Sequence, residues 1–389
     1  MKPTSTAILP RASRLATFSL VLGALASLWL GCATETHRYS PAQAKATLKQ
    51  LDAAGMVIGE FPISRIIDGD TIAVAGLDST LRLLAMDTEE TFKNAQDARD
   101  ADADFEKYLK AKRGDRARPT KAATPLGEEA KKFAVAFFKG VKTVRLERDN
   151  ATEIRDLYDR YLAYVIVDRG GKELNFNVES VRAGMSPYFM KYGYSRRFHA
   201  DFVAAEKEAR DAKRGIWDTR LAGYNDYEER MPWWHARAEF LATVERAFAK
   251  LPNFVVLTNW DAPEQLAAHK GKEVVVLGLV GNIYLGDTGP TRVLLSRRKK
   301  SDFPLIFFDR DVFTSTKLSQ WRGEFVAVRG VVTEYQNKHT GSRQLQIAVN
   351  SPDQIELSPI PGLEGSTPAT FLDEALARLS TIPAPTPTP

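Results

Sequence analysis

Short apolar segments rich in β-branched residues, each bounded by turns, most constrain the fold of this chain. Residues 57–74 are rich in valine, isoleucine and threonine and are interrupted by Asp68-Gly69-Asp70, a pattern typical of two strands joined by a tight turn. Buried strands are also predicted at residues 81–86, 143–146 and 162–167, and helical periodicity occurs at residues 127–139, 175–184 and 196–214. The pattern predicts a small β-barrel decorated by three helices.

A second group of short strands follows a predicted helical connector at residues 221–252. The connector contains Trp233-Trp234, and aromatic residues in such a segment usually pack it against a neighbouring domain. Residues 253–359 contain apolar segments separated by turns with glycine and lysine, which suits a small closed barrel such as an oligonucleotide-binding (OB) fold. Its five strands are predicted at residues 273–277, 292–295, 305–308, 325–328 and 345–349. The fold class is therefore mainly β with helices, although an OB fold also serves as a protein–protein adaptor.

The N-terminus has the layout of an export signal. Basic residues precede an apolar run at residues 15–30, which is short for a transmembrane helix, since such a helix needs about 20 apolar residues. Residues 28–32 resemble a bacterial lipoprotein box, so Cys32 is predicted to carry a lipid anchor. The alternatives are an uncleaved anchor, or an ordinary signal with an incidental cysteine. In each case the protein is expected to work outside the cytoplasm, attached to the cell envelope or secreted.

The overall composition narrows the chemistry that the chain can support. A net charge of +5 and a pI near 9.0 are compatible with a polyanionic partner but raise that interpretation only slightly. A single cysteine excludes an internal disulfide framework and a cysteine-rich zinc site. The five histidines are scattered, with no two at helical i, i+4 spacing. A bound metal would therefore be a hard cation held by oxygen atoms.

Carboxylates and arginines are concentrated around the strands of the first unit. Arg82 lies among leucines, where a buried guanidinium needs an anionic partner, and its planar fork matches a carboxylate or a phosphate. Strict strand alternation places Arg82 and Asp87 on opposite faces, so the two meet only if the strand bends or ends before Asp87. One interpretation is a set of internal salt bridges that stabilise the barrel. Taken together with Asp70, Glu90 and Arg160, the set instead suits hydrolysis of a phosphodiester.

The order and spacing of these residues resemble the staphylococcal nuclease-like (thermonuclease) family. The motifs are Ile67-Asp68-Gly69-Asp70-Thr71, the segment from Leu81-Arg82-Leu83 through Asp87-Thr88-Glu89-Glu90, and Asp156-Leu157-Tyr158-Asp159-Arg160. The resemblance covers about residues 58–218. It implies a five-stranded OB barrel with three helices.

The resemblance also implies a function and a site. It implies a calcium-dependent nuclease that cleaves DNA or RNA to leave 3′ phosphates, with no obligate protein partner evident. The implied roles are Ca²⁺ ligands for Asp70, Asp87 and the backbone carbonyl of Thr88, phosphate binding for Arg82 and Arg160, general base or water positioning for Glu90, and nucleotide contacts for Tyr188 and Tyr192. The alternatives are a catalytically inactive nucleic-acid-binding module and an envelope scaffold.

The predicted organisation has six parts. They are a signal at residues 1–32, a tether with a short helix at 33–56, the thermonuclease-like domain at 57–220 with an insertion at 92–121, the connector at 221–252, the OB-like domain at 253–359, and a tail at 360–389 that is disordered at least from 382. The insertion is charged and poor in apolar residues, and it either decorates the rim of the cleft or gates it. The basic segment Arg297-Arg298-Lys299-Lys300 either contacts phosphates or forms a solvated turn.

Two positions depart from the family pattern. Glu89 stands where proline is usual, and repulsion between Glu89 and Glu90 is expected to raise the pKa of one of the two carboxyls. Asp159 and Tyr161 replace the glycines that usually flank the arginine at position 160. We expect Asp159 to pair with Arg160 and compete for it.

Overall fold

The computed structural model describes residues 56–116, 118–298, 301–338, 340–363 and 371–380, all within one compact unit. The predicted signal with Cys32, residues 33–55 of the tether and the tail from residue 382 lie outside the described residues. So do Lys299 and Lys300, together with the side chains of the two arginines before them. Within the described ranges, no helix is both long enough and apolar enough to cross a membrane.

The first sheet contains the predicted barrel. Its strands are β1 (Val57–Ile66), β2 (Thr71–Val74), β3 (Leu81–Leu83), β4 (Thr143–Glu147), β5 (Tyr161–Arg169) and β6 (Lys172–Asn175). Five of them close in the order β1-β2-β3-β5-β4-β1, and only β3 and β5 run parallel, with Leu81 opposite Tyr161. Leu81 and Leu83 point into the core and are almost fully buried, which leaves the side chain between them on the other face. The predicted OB barrel is confirmed.

The second sheet contains a barrel with the same order of strands. Its strands are β7 (Phe254–Val256), β8 (Glu273–Tyr284), β9 (Thr291–Arg298), β10 (Ser301–Phe307), β11 (Phe325–Gln336), β12 (Arg343–Ala348) and β13 (Ile355–Leu357). The closed part runs β8-β9-β10-β12-β11-β8, again with a parallel pair between its third and fifth strands, where Leu305 lies opposite Ile347. The prediction of a second OB-like barrel is confirmed.

Helices connect and cover the two barrels. They are α1 (Ala95–Ala103), α2 (Phe105–Arg113), α3 (Pro125–Phe137), α4 (Phe176–Arg182), α5 (His199–Asp211), α6 (Tyr227–Phe248), α7 (Ala262–Ala268), α8 (Arg310–Ser315) and α9 (Phe371–Ser380), with short 3₁₀ turns at Gly215–Trp217, Leu318–Trp321 and Pro352–Gln354. The three predicted helices of the first unit are α3, α4 and α5. The insertion was predicted only as an exposed charged segment, and it forms α1 and α2. Asn94 and Asp104 cap these two helices by accepting backbone N–H bonds, and Tyr108 packs them onto Ala122.

The connector is the single helix α6, which packs against both barrels. Trp234 lies edge-on to Phe189 of the first barrel, with ring centroids 4.9 Å apart. Further along the helix, Phe248 packs with Phe371 of α9 in a cluster that includes strands of the second barrel. Helix α9 lies in the part of the chain predicted as a tail and was not predicted. The expectation that aromatic residues pack the connector onto a neighbouring domain is confirmed.

Candidate active site

Arg82 joins two carboxylates that come from different parts of the first barrel. Its Nη1 donates to Asp70, the residue that precedes β2, and its Nη2 donates to Asp87. Strand alternation would separate Arg82 from Asp87, but β3 ends at Leu83. Ala85 then adopts a φ of +60°, a left-handed conformation that turns the chain. The strand thus ends before Asp87, which is the condition under which the two side chains were predicted to meet.

Asp87 is also held by groups outside the barrel strands. Its backbone N–H donates to Ser186 Oγ at 2.8 Å, and its carboxylate accepts from the Lys121 ammonium at 2.7 Å. Burial alone would raise the pKa of Asp87, but Lys121 and Arg82 together hold that pKa well below its usual range. Burial likewise opposes the charge on Arg82, yet Asp70 and Asp87 raise its pKa. Asp87 is therefore ionised at neutral pH and balanced by two side-chain cations.

Glu90 lies at the edge of the same site. Its carboxylate is 29% exposed and accepts from Lys121 at 3.4 Å and from Lys93 at 3.2 Å. Helix α3 fixes its backbone, because the Thr124 N–H donates to the Glu90 carbonyl at 3.0 Å. Gly127 in the first turn of that helix allows this approach, since a Cβ there would lie 2.1 Å from the same carbonyl oxygen. Glu90 is therefore fixed at its backbone while its carboxylate remains accessible to water, as a general base requires.

The pKa of one of the two adjacent carboxyls is raised as expected, but repulsion between Glu89 and Glu90 is not the cause, because the two carboxylates bind different groups. Glu89 is buried and accepts from Thr124 Oγ1 at 2.5 Å, the Tyr224 N–H at 2.8 Å and the Tyr227 hydroxyl at 3.0 Å. Burial raises the pKa of Glu89, and these hydrogen bonds oppose the rise. Glu89 therefore joins the start of α3 to the start of the connector and leaves the site to Glu90.

The expected pairing of Asp159 with Arg160 is wrong. The Arg160 guanidinium binds Asp156 instead, with its Nε and Nη2 at 2.7 and 2.6 Å from one carboxylate oxygen. Asp159 has a φ of +64°, the left-handed conformation that aspartate tolerates better than most residues. Tyr161 is buried and its hydroxyl donates to Asp78 at 2.6 Å. The turn therefore keeps a glycine-like backbone without glycine, and Arg160 stays 29% exposed.

The remaining predicted site residues separate into two groups. Tyr188 is almost fully buried, its ring stacks on Phe202 with centroids 5.0 Å apart, and its hydroxyl accepts from the Ser195 N–H at 2.9 Å. It is not among the residues that line the cleft. Tyr192 does line the cleft and is 56% exposed. Thr88 is buried directly behind Asp87, and the role predicted for its carbonyl stays a prediction.

One cleft of about 910 Å³ brings the charged residues together. Its walls include the insertion, the connector and two residues of the second unit, Thr258 and Leu279, in addition to the first barrel. The residues used below are Asp70, Arg82, Asp87, Glu90, Lys93, Lys121, Arg160, Lys191, Tyr192 and Trp233. The site is therefore larger than the nuclease-like barrel alone.

The sequence of the first barrel and its helices matches a known family. The profile described as staphylococcal nuclease homologue matches residues 80–219, which contain every predicted site residue except Asp70. An uncharacterised protein of Methanocaldococcus jannaschii is 32% identical over 164 residues, which is 40% of this chain and 70% of that relative.

This chain belongs to the staphylococcal nuclease homologue family.

Asp70 precedes the matched range, and its ion pair with Arg82 joins it to the site of this nuclease homologue.

Members of this nuclease family typically use Ca²⁺, a hard cation that takes oxygen ligands. Asp70 and Asp87 offer only carboxylate oxygens, and both contact the same guanidinium, so they lie close together. Among the described residues there is no cluster of three or more His, Cys, Asp or Glu side chains arranged to hold a metal. A Ca²⁺ ion would therefore take its remaining ligands from backbone oxygen and water. It would also compete with Arg82 and Lys121 for the same two carboxylates.

Lys121 and Lys191 line the cleft but were not among the site residues predicted from the sequence. Lys121 lies 34 residues after Asp87, at the end of the insertion. Lys191 directly precedes Tyr192, which was predicted to contact a nucleotide. Neither lysine belongs to a recognisable local motif. One sequence feature could have indicated that Lys121 lies near the site. It comes just before Thr124-Pro125, where α3 begins, and this helix contacts the backbone of Glu90.

Proposed function

We propose that this nuclease homologue is an active, calcium-dependent phosphodiesterase that cleaves DNA or RNA and leaves 3′ phosphates. The observation that carries the proposal is the convergence of Asp70 and Asp87 on Arg82 in a cleft that also contains Glu90 and Arg160. A structural salt-bridge network would not require this cleft. The cleft is lined by cations on several sides, as binding of a polyanion requires.

Each side chain of the site has a separate role in the proposed reaction. When bound at Asp70 and Asp87, Ca²⁺ would polarise the phosphoryl oxygen and offset its charge. Glu90 takes a proton from the attacking water as the water oxygen bonds to phosphorus. Arg82 and Arg160 neutralise the charge that develops on the non-bridging oxygens. The bond to the 5′ oxygen then breaks, that oxygen gains a proton, and the phosphate remains on the 3′ side.

The purified protein should digest single-stranded DNA or RNA when Ca²⁺ is present and stop when the ion is chelated. Asp70→Asn is the matched control, because it keeps the size of the side chain and removes one carboxylate. Activity equal in wild type and Asp70→Asn would show that the measured activity does not arise at the proposed site. Binding of oligonucleotide without Ca²⁺-dependent cleavage would favour the inactive binding module instead.

A second variant separates catalysis from folding. We expect Arg82→Lys to lower the cleavage rate at least 100-fold, because a point charge cannot reproduce the bidentate fork. Its thermal unfolding should change much less. Equal losses of rate and of stability would support a purely structural role for Arg82.

We also propose that the protein is exported and anchored through Cys32. The proposal rests on the basic and apolar N-terminal sequence that ends at Gly31-Cys32. Cell fractionation and mass spectrometry of the mature N-terminus test it, with Cys32→Ser as the control. A Cys32→Ser protein that fractionates like wild type would contradict lipidation.

A further inference from the structure

Unlike the three cations that contact the central carboxylates or Asp156, Lys191 has no described carboxylate within salt-bridge distance of its ammonium. Arg82, Lys121 and Arg160 each bind an aspartate. Lys191 instead lies over the indole ring of Trp233, 4.6 Å from the ring centroid. A cation held on an aromatic face in a cleft, without an anion, is available to bind one from solution.

Other positive groups surround Lys191. Burial and the neighbouring Arg237 lower the pKa of Lys191 to about 8, Lys121 and Arg118 add to this effect, and Asp87 opposes it. The buried carboxylate of Glu324 contacts both Arg118 and Arg237, so it offsets only one of their two positive charges. The cluster therefore keeps uncompensated positive charge at Lys191 and beside it. A phosphate group would relieve the repulsion there.

Lys191 is held in place by two parts of the chain outside the nuclease barrel. Arg237 of α6 donates from its Nε to the Lys191 carbonyl at 2.9 Å. Trp233 is itself fixed, because its Nε1 donates to Glu324 of the second barrel at 3.2 Å. Tyr192, the next residue, presents a ring that is 56% exposed in the same cleft. Such a ring can stack on a nucleic-acid base.

We propose that Lys191, held by Trp233 of the connector, binds a phosphate group that flanks the scissile phosphate, beside the nucleotide contact that the family resemblance implies for Tyr192. This proposal rests on the proposed nuclease function for its choice of ligand, a single-stranded polynucleotide. It assigns the connector and second barrel a part in substrate binding, because they position Lys191. The site is a subsite for the polymer rather than for the bond that is cut.

The test is binding of a fluorescent single-stranded oligonucleotide by the full chain in chelator, measured by anisotropy over a range of salt concentrations. Lys191→Met should weaken binding several-fold and reduce the slope of log K against log salt by about 0.7, the value for one phosphate contact with a single strand. Tyr192→Leu should weaken binding about tenfold. Lys207→Met is the matched control, since Lys207 is 74% exposed, pairs with Asp211 and does not line the cleft.

A small substrate distinguishes the subsite from the scissile site. With Ca²⁺ present, Lys191→Met should raise KM for the oligonucleotide and leave hydrolysis of a thymidine 5′-(4-nitrophenyl phosphate) diester unchanged. Equal losses on both substrates would overturn the proposal, as would a salt slope identical to that of wild type and Lys207→Met. If wild type cleaves neither substrate but its salt slope still depends on Lys191, the nuclease function fails and the binding subsite stands.

Discussion

Replacing Glu324 by glutamine should destabilise the protein far more than loss of a surface ion pair. The side chains of Glu324 and Arg237 are both fully buried, and Arg237 Nη1 lies 2.5 Å from Glu324 Oε2. Glutamine keeps the shape but removes the charge, which leaves the Arg237 guanidinium buried without its counter-ion. Breaking a buried pair from one side costs about 3–5 kcal/mol. Arg118 binds the other oxygen, Oε1, and the Trp233 N–H shares Oε2, so the single amide oxygen of glutamine leaves one of these two sides without its acceptor and we expect the upper part of this range.

Urea unfolding followed by tryptophan fluorescence measures this cost. The matched control is Lys270→Ala in the same barrel, whose pair with Glu334 has side chains 52% and 26% exposed and should contribute less than about 1 kcal/mol. Replacing both Arg237 and Glu324 by methionine should recover part of the loss, because the Arg237 charge is no longer buried without a counter-ion, although Arg118 and the Trp233 N–H still lose their acceptor. A Glu324→Gln protein within about 1 kcal/mol of wild type would refute the assignment of this pair as a buried, desolvated contact.

Three further outcomes are expected at the cleft. Lys121→Met should tighten Ca²⁺ binding about fivefold by calorimetry, since the lysine competes with the ion and an ion pair of this kind contributes about 1 kcal/mol; weaker Ca²⁺ binding would contradict competition. Oligonucleotide affinity should fall as pH rises through about 8, because Lys191 loses its positive charge there, and Lys191→Met should remove that step from the pH profile. Gly127→Ala should cost about 1–3 kcal/mol and lower the cleavage rate by moving Glu90, whereas Gly289→Ala, with open space around its Cβ, should leave both unchanged.

The barrels could be predicted from sequence because each strand carries its own signal. Apolar runs and turn residues are local signals, so the starts of β8 and β11 were predicted correctly, although both strands extend well beyond the predicted ends. The ends of strands were harder to predict from sequence. Strand β3, for example, ends three residues earlier than predicted. That ending depends on Ala85, and nothing in an alanine side chain indicates a left-handed φ. The contact between Arg82 and Asp87 could therefore be predicted only on the condition that the strand bends or ends before Asp87.

The insertion was harder to predict, because it buries little apolar surface of its own. Tyr108, Ala101 and Ala122 form its small core, and Tyr224, which is 102 residues after Ala122 in the chain, packs against it. Tyr224 also hydrogen-bonds the backbone of Ala122, with 2.9 Å to its N–H and 2.8 Å to its carbonyl. The position of Lys121 follows from these long-range contacts. Local periodicity carries no information about such contacts, so the cation on Asp87 could not be foreseen.

Glu89 explains how a departure from the family pattern can leave the predicted site residues in place. A proline at this position could accept no hydrogen bond with its side chain, whereas Glu89 accepts bonds from Thr124, Tyr224 and Tyr227. The first of these begins α3 and the other two begin the connector. The carboxylate therefore fixes the connector to the backbone segment that carries Glu90. The connector in turn positions Trp233 over Lys191, so the same substitution that looked harmful in sequence helps to build the wider cleft.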